Sequence, residues 1–139
     1  MKIQQITLEQ ALPVRHKVLW PNKPQEFCIV DGDDEGIHFG AFIDDSLVCV
    51  ASIYITDNEA RLRKFATLHA QQGKGLGTAM LNHILTYLRK AGIEYFWFDA
   101  RESALDFYKR FGMQTSGERF YKSDVPYFKM SISLQAVKK

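Results

Sequence analysis

Arg61-Leu62-Arg63-Lys64-Phe65-Ala66-Thr67-Leu68, then Gln72-Gly73-Lys74-Gly75-Leu76-Gly77-Thr78, then Tyr95-Phe96-Trp97-Phe98-Asp99-Ala100 set the architecture of this 139-residue chain. Ala60 to Leu68 reads as a strand, with Arg61, Arg63, Phe65 and Thr67 on one face by simple alternation. Gln71 to Gly77 is a glycine-rich loop. From Thr78 to Ala91, Met80, Leu81, Ile84, Leu85 and Leu88 recur at helical spacing, which predicts an amphipathic helix packed by that stripe. Gly92 supplies its stop. Tyr95 to Ala100 is aromatic without polar alternation, which predicts a strand buried on both faces. This strand-helix-strand unit is the one clear crossover.

Upstream, Lys2 to Ile6 reads as a short strand. Thr7 and Gln10 have the spacing of a capping box for a helix over Leu8 to Leu19, with Leu8, Leu12, Arg15 and Leu19 on one side. Pro13 is expected to kink or split that helix, and Pro21 and Pro24 to end it. Asp31 to Gly36 is a polar loop by composition. His38–Ile43 and Leu47–Ile55 form a hairpin about Asp44-Asp45, and Thr56 to Glu59 turns into the Ala60 strand. Downstream, Ser103 to Phe111 is a short helix with Ser103 as candidate cap and Gly112 as stop. Thr115–Tyr121 and Val125–Ser133 are two last strands about Ser123-Asp124. The order is a mixed α/β pattern around one sheet.

The length suits a single domain over 1–139. Hydrophobic residues make up 46% of the chain and charged residues 24%, with a formal net charge of +2. That balance argues against a chain built to coat nucleic acid. No apolar run approaches the roughly 20 residues that span a bilayer, and the start lacks a signal-peptide h-region. These features point to a cytoplasmic protein, with no nucleic-acid or membrane partner. Cys28 and Cys49 form no clustered metal-ligand pattern, so no metal site is expected. Both read as free thiols, and Cys49 as core.

Chemistry concentrates in Gln72–Thr78. It follows a strand and opens a helix, where free main-chain N–H groups and the positive end of the helix dipole favour an anion. Glycines let the backbone approach a phosphate without an intervening Cβ. A Walker A loop requires a Lys-Ser/Thr pair that is absent here. The dinucleotide fingerprint GxGxxG fits at Gly73 and Gly75 but meets Thr78 at its third position. Read alone, the glycines also suit a tight strand-to-helix turn with no ligand.

Taken with its flanks, Lys64-Phe65-Ala66-Thr67-Leu68 followed by Gln72-x-x-Gly75-x-Gly77 and the amphipathic helix resembles the GNAT family of N-acetyltransferases, whose pyrophosphate signature is [Q/R]xxGx[G/A]. The stretch Ala104-Leu105-Asp106-Phe107-Tyr108-Lys109-Arg110-Phe111-Gly112-Met113 is similar to that family's A-x-x-FY-x-x-x-GF element, with Met113 where Phe is usual. The resemblance is motif-specific from about Arg61 to Met113. It implies a mostly antiparallel central sheet flanked by helices, with a splayed strand pair that admits acetyl-CoA. Gln72, Gly73, Lys74, Gly75, Leu76, Gly77 and Thr78 would then line the pyrophosphate. Phe65, Ala66 and Thr67 would pair with the pantetheine arm like an added strand, one N–H polarising the thioester carbonyl. Arg101 would sit near the cofactor mouth, and Lys109 and Arg110 within reach of the 3′-phosphate.

The activity so implied is acetyl transfer to a primary amine of a small molecule or peptide, by a monomer or homodimer. It needs a neutral amine, a stabilised oxyanion and a departing thiolate. Tyr108 matches the position of the leaving-group acid. A phenol near pKa 10 protonating a thiolate near 8.5 is uphill by roughly 2 kcal/mol, so its part is mainly hydrogen-bond donation. His38, Glu59, His69 and Asp99 are candidate bases. His16 lies in the region that shapes acceptor entry, and Trp20, Phe27, Trp97, Phe120, Tyr121 and Tyr127 are available as apolar walls, most of them expected in the core. The same cradle would serve an acyl-CoA sensor that transfers nothing, although Tyr108 and the unbroken loop favour transfer. A third reading gives Arg61, Arg63 and Lys64 an acidic partner.

Overall fold

A computed structural model describes residues 1–134. Seven strands among these form one sheet in the order β1-β2-β3-β4-β5-β7-β6. They are β1 Lys2–Ile6, β2 Ile37–Ile43, β3 Ser46–Thr56, β4 Glu59–Thr67, β5 Tyr95–Arg101, β6 Gln114–Lys122 and β7 Val125–Ser133. Only β4 and β5 run parallel, so the sheet is mixed and mostly antiparallel, as the resemblance implied. The single-domain span 1–139 includes five residues, 135–139, that lie outside the described ones.

Local chemistry sets most boundaries. Helix α1, Leu8–Leu19, opens on a reciprocal capping box. The Gln10 amide donates to Thr7 Oγ1 at 3.1 Å, and the Thr7 amide donates to Gln10 Oε1 at 2.9 Å. Pro13 neither splits nor ends α1. It removes one N–H from an exposed face, while Ala11, Val14 and Arg15 anchor the helix on both sides of it. The buried face is therefore Ala11, Val14 and Arg15 rather than the leucine stripe. Asp44-Asp45 and Ser123-Asp124 each take positive φ, at 50° and 69° and at 50° and 68°, the conformation of two-residue hairpin turns that follow strand twist.

Helix α2, Leu76–Lys90, starts two residues before the expected Thr78. It ends in a Schellman arrangement: the Ile93 amide donates to Leu88 O and the Gly92 amide to Arg89 O, with Gly92 at φ 78°. Its stripe Met80, Leu81, Ile84, Leu85 and Leu88 is buried against one face of the sheet with Phe39, Ile53, Leu62, Phe96 and Phe98. Helix α1 covers the other face over Ile6, Val50 and Ala66. Ser103 does not cap the third helix. It lies in a 3-10 turn, Glu102–Ala104, that leads into α3, Leu105–Lys109, whose N-cap is Ala104.

Strand β5 is not buried on both faces. Phe96, Phe98 and Ala100 are buried, whereas Tyr95, Trp97 and Asp99 are partly exposed on the α1 side. Charged side chains cover the aromatic pair there: the Arg61 guanidinium lies 4.6 Å from the Trp97 ring centroid, and Lys129 Nζ 4.8 Å from it. The unbroken aromatic run thus hides an alternation in which cations shield the outer rings.

Candidate active site

Strands β4 and β5 pair only through Glu59↔Tyr95, Ala60↔Phe96 and Arg61↔Trp97. Beyond that point β4 continues to Thr67 and β5 to Arg101 with no further pairing. The two parallel strands therefore open into a gap toward their C-terminal ends, the usual place for a ligand in α/β sheets.

A bulge in β4 turns the strand over at the mouth of this gap. Ser52 pairs with Arg63 and Val50 with Ala66, so Ala51 faces both Lys64 and Phe65. Lys64 takes φ 57° to make the extra residue. Arg61, Arg63, Phe65 and Thr67 consequently do not share one face. Arg61 meets Asp99 and Trp97 on the α1 side. Phe65 packs with the α2 core, and the Thr67 hydroxyl donates to the buried Cys49 sulfur at 3.3 Å. One bulge thus aims guanidiniums to one side of the sheet and the apolar end of β4 to the other.

The bend after β4 reaches the same place. A short 3-10 turn, His69–Gln71, leads into Gln72, whose side chain donates to Thr67 O at 3.0 Å and ties the bend to the strand end. Gly73 and Gly75 have φ 78° and 84°, and a Cβ built on either meets nothing within 4 Å. Both glycines therefore satisfy backbone geometry while leaving open space beside the chain. Gly75 is the N-cap of α2, and no side chain caps the helix. The first-turn amides of Leu76, Gly77 and Thr78 accordingly have no intrahelical acceptor. Leu76, 4% exposed, anchors the turn in the core, and Lys74 brings an ammonium to within 3.4 Å of Gln71 Oε1. Free amides, a helix N-terminus and room for close approach fit a diphosphate.

A third element closes the ring. A Cβ on Gly77 would lie 3.5 Å from Phe107 Cζ and 3.6 Å from Phe65 Cζ. Phe107 contacts Tyr108 at a centroid distance of 5.0 Å, and Tyr108 contacts Phe98 of β5 at 4.5 Å. The structure thereby brings the end of β4, the start of α2, Tyr108 and β5 around one gap. Burial alone pushes the Tyr108 phenol up to about 12, and among the described residues its hydroxyl has no hydrogen-bond partner. Arg101 ends β5 in register with Tyr127, exposed and with no ion pair among the described residues. Arg110 lies 5.4 Å from the Phe107 ring centroid.

The candidate bases fare differently. His38 is buried and both ring nitrogens are engaged: the Ser52 hydroxyl donates to Nδ1 at 2.7 Å and Nε2–H donates to Asp33 O at 3.1 Å. Asp99 already accepts from Arg61 at 3.1 Å and Lys122 at 3.2 Å. Glu59 begins β4, at the closed end of the strand pair. His69 is exposed in the bend, with Nδ1 3.5 Å from Gln72 Nε2. His16 is tied to Lys23 O. Of the expected core aromatics none is buried, and Trp20, Phe27 and Tyr121 are the most open.

Composition concealed one constellation. Arg15, fully buried, donates to Asp33 Oδ2 at 2.9 Å, Asp33 Oδ1 at 3.0 Å, Ser52 Oγ at 2.9 Å and Cys28 O at 2.9 Å. Tyr54 also donates to Asp33. Burial pushes the Asp33 carboxyl up, but Arg15, Tyr54 and the Val30 amide outweigh it and hold the group at about 2. This network fastens the segment after α1 across β2 and β3. The polar loop is in fact a 3-10 turn, Asp33–Glu35, built around a buried carboxylate. An arginine on the inward side of α1 was its only signal.

Residues 3–113 match the family model described as Acetyltransferase (GNAT) family. An uncharacterized N-acetyltransferase, YitI, of Bacillus subtilis (strain 168) is 28% identical over 135 residues, covering 91% of this chain and 89% of that one. The ribosomal-protein-S18-alanine N-acetyltransferase of Escherichia coli superposes with a TM-score of 0.83 at 16% identity, over 99% of this chain and 96% of the other. An aminoglycoside 6′-N-acetyltransferase complexed with coenzyme A superposes with a TM-score of 0.81 at 14% identity, each chain covered completely (100% and 100%). An opened parallel strand pair, an uncapped glycine turn and a family match spanning both agree, and the chain belongs to the acetyltransferase (GNAT) family, whose acyl donor is acetyl-CoA.

Proposed function

We propose that this chain transfers the acetyl group of acetyl-CoA to a primary amine at the gap between β4 and β5. The observation that carries this reading is the convergence of the uncapped α2 N-terminus, the unpaired end of β4 and Tyr108 on one opening. When bound, acetyl-CoA supplies a thioester, whose acyl carbon is the electrophile. Amides of Gly73 to Thr78 hold its diphosphate, with Lys74 adding charge and Gln72 fixing the bend. Main-chain groups of Phe65, Ala66 and Thr67, which have no β5 partner, pair with the pantetheine amides. An N–H at this strand end polarises the acyl oxygen. Arg101 stands at the mouth.

Tyr108 supplies a hydrogen bond to the leaving sulfur and keeps its own proton. With the phenol at about 12, complete transfer to a thiolate near 8.5 is uphill by roughly 5 kcal/mol. The aromatic wall of Phe98 and Phe107 that raises the phenol also excludes water from the sulfur. A free α-amine near pKa 7.8 gives up its proton at pH 7 for about 1 kcal/mol, and a lysine-like amine for roughly 4–5.

Two measurements test this. Acetyl-CoA at about 100 times its dissociation constant should raise unfolding free energy by roughly 2.7 kcal/mol. An amine panel should then release free thiol. Absence of stabilisation contradicts the cofactor site. Stabilisation without thiol release on any amine identifies an acyl-CoA sensor instead.

A further inference from the structure

The bulge at Lys64 leaves three cationic residues of β4, Arg61, Arg63 and Lys64, on or beside the α1 face, away from the glycine turn. Arg61 is partly satisfied by Asp99, yet its Nε, shielded from solvent, has no acceptor among the described residues. Arg63 has no hydrogen bond or ion pair among them. Lys64 is half-buried with no carboxylate within ion-pair distance. Its ammonium is held below the ordinary lysine value by burial, then by Arg63 and Arg15. Cations crowd here in a chain whose net charge is only +2. The donor's phosphates do not explain them, because the α2 N-terminus belongs to the other face of the sheet.

Arg61 and Arg63 line a groove of about 190 Å³ together with Tyr54, Asp31 and Glu35. That volume is below the range of drug-sized sites and suits a molecule of amino-acid size. The groove runs along the β3–β4 pair, where Arg63 stands one residue before the bulge. Guanidinium groups in a planar fork match a carboxylate. Asp31 and Glu35 disfavour a second negative group on the same ligand.

We propose that the acceptor is a small primary amine that also carries a carboxylate, with Arg63 and Arg61 taking the carboxylate and the amine reaching the β4 bulge. This rests on the transferase reading above and names its substrate class. The amine nitrogen forms the new bond to the acyl carbon as the carbon–sulfur bond breaks. The bonding pair leaves with sulfur, and the surplus proton of the amine ends on the released thiol. Seating the carboxylate on one side of the sheet and the donor on the other lets both reach the gap without competing for cations.

The test uses ω-amino acids of increasing chain length, each against the alkylamine of the same chain length, so that reach and apolar surface are matched, with rates compared at equal concentrations of the neutral amine. Free-thiol release is followed for wild type, Arg63→Gln and Arg63→Lys, with acetyl-CoA-induced thermal stabilisation as the check on fold and donor binding. Wild type should prefer the amino acid through KM. Arg63→Gln should raise that KM by about 10–100-fold and bring the preference ratio to about one, with Arg63→Lys between them. Thiol release indifferent to the carboxylate, or a preference that survives Arg63→Gln, overturns this proposal and leaves the transferase reading standing. Donor binding with no thiol release on any amine overturns both.

Discussion

Asp33 and Tyr108 are two ionisable groups moved by their surroundings in opposite senses for function and for stability. Asp33 sits at about 2 in the folded protein, against about 3.9 unfolded. A depressed carboxyl stabilises the fold above its unfolded value and ceases to do so as pH falls through its folded value. The contribution, roughly 2–3 kcal/mol, should therefore disappear between about pH 4 and pH 2. At pH 7, Asp33→Asn leaves the fully buried Arg15 charge uncompensated and should destabilise by about 3–5 kcal/mol in urea unfolding. The gap between wild type and variant should narrow on acidification, and an equal gap at about pH 2.5 would contradict the account. Tyr108 is held protonated, so Tyr108→Phe should lower turnover roughly 10–1000-fold with donor affinity kept. That ratio should stay flat from about pH 6 to pH 10, because the phenol does not ionise there. A ratio that falls with rising pH would show a titrating tyrosine.

At the scale of elements, β4 and the turn after it do most of the positioning. Gly75 stands at φ 84° with open space beside it. Gly75→Ala should place an L-residue in left-handed backbone at about 1–2 kcal/mol and put a methyl in the cradle. The expected result is a folded protein with a modestly lower melting temperature and at least about tenfold weaker acetyl-CoA binding by calorimetry. Unchanged affinity would remove this turn from the site. Such a turn was legible in the sequence because glycine announces positive φ, as were the capping box at Thr7 and the stop at Gly92, each made by residues close in sequence. The bulge was not legible. Lysine carries no left-handed signature, and only pairing with β3 forces Lys64 to φ 57°. Alternation therefore misplaced Phe65 and Thr67 beyond it. Pro13 does not split α1, since burial of its neighbours outweighs one lost hydrogen bond.

At the scale of the whole molecule, the sheet is one surface with two different jobs. Its α2 face is apolar and carries the glycine turn at its edge, and its α1 face carries a buried ion pair and a cationic groove. The succession of elements along the chain and the single crossover followed from hydrophobic period and turn chemistry, whereas the place of β7 between β5 and β6 did not. Arg15 with Asp33 did not, because the pair joins residues 18 apart through a loop that composition calls polar. Nor did the exposure of Trp20, Phe27 and Tyr121, since aromaticity alone does not say which face of a half-covered sheet a ring occupies. The central claim is that main-chain amides of the turn grip the donor's diphosphate while the opened strand pair takes its arm. Titrating acetyl-CoA into ¹⁵N-labelled protein tests it residue by residue. The largest amide shifts should fall at Gly73 to Thr78 and at Phe65 to Thr67, whereas shifts confined to other residues, or none at all, would contradict it.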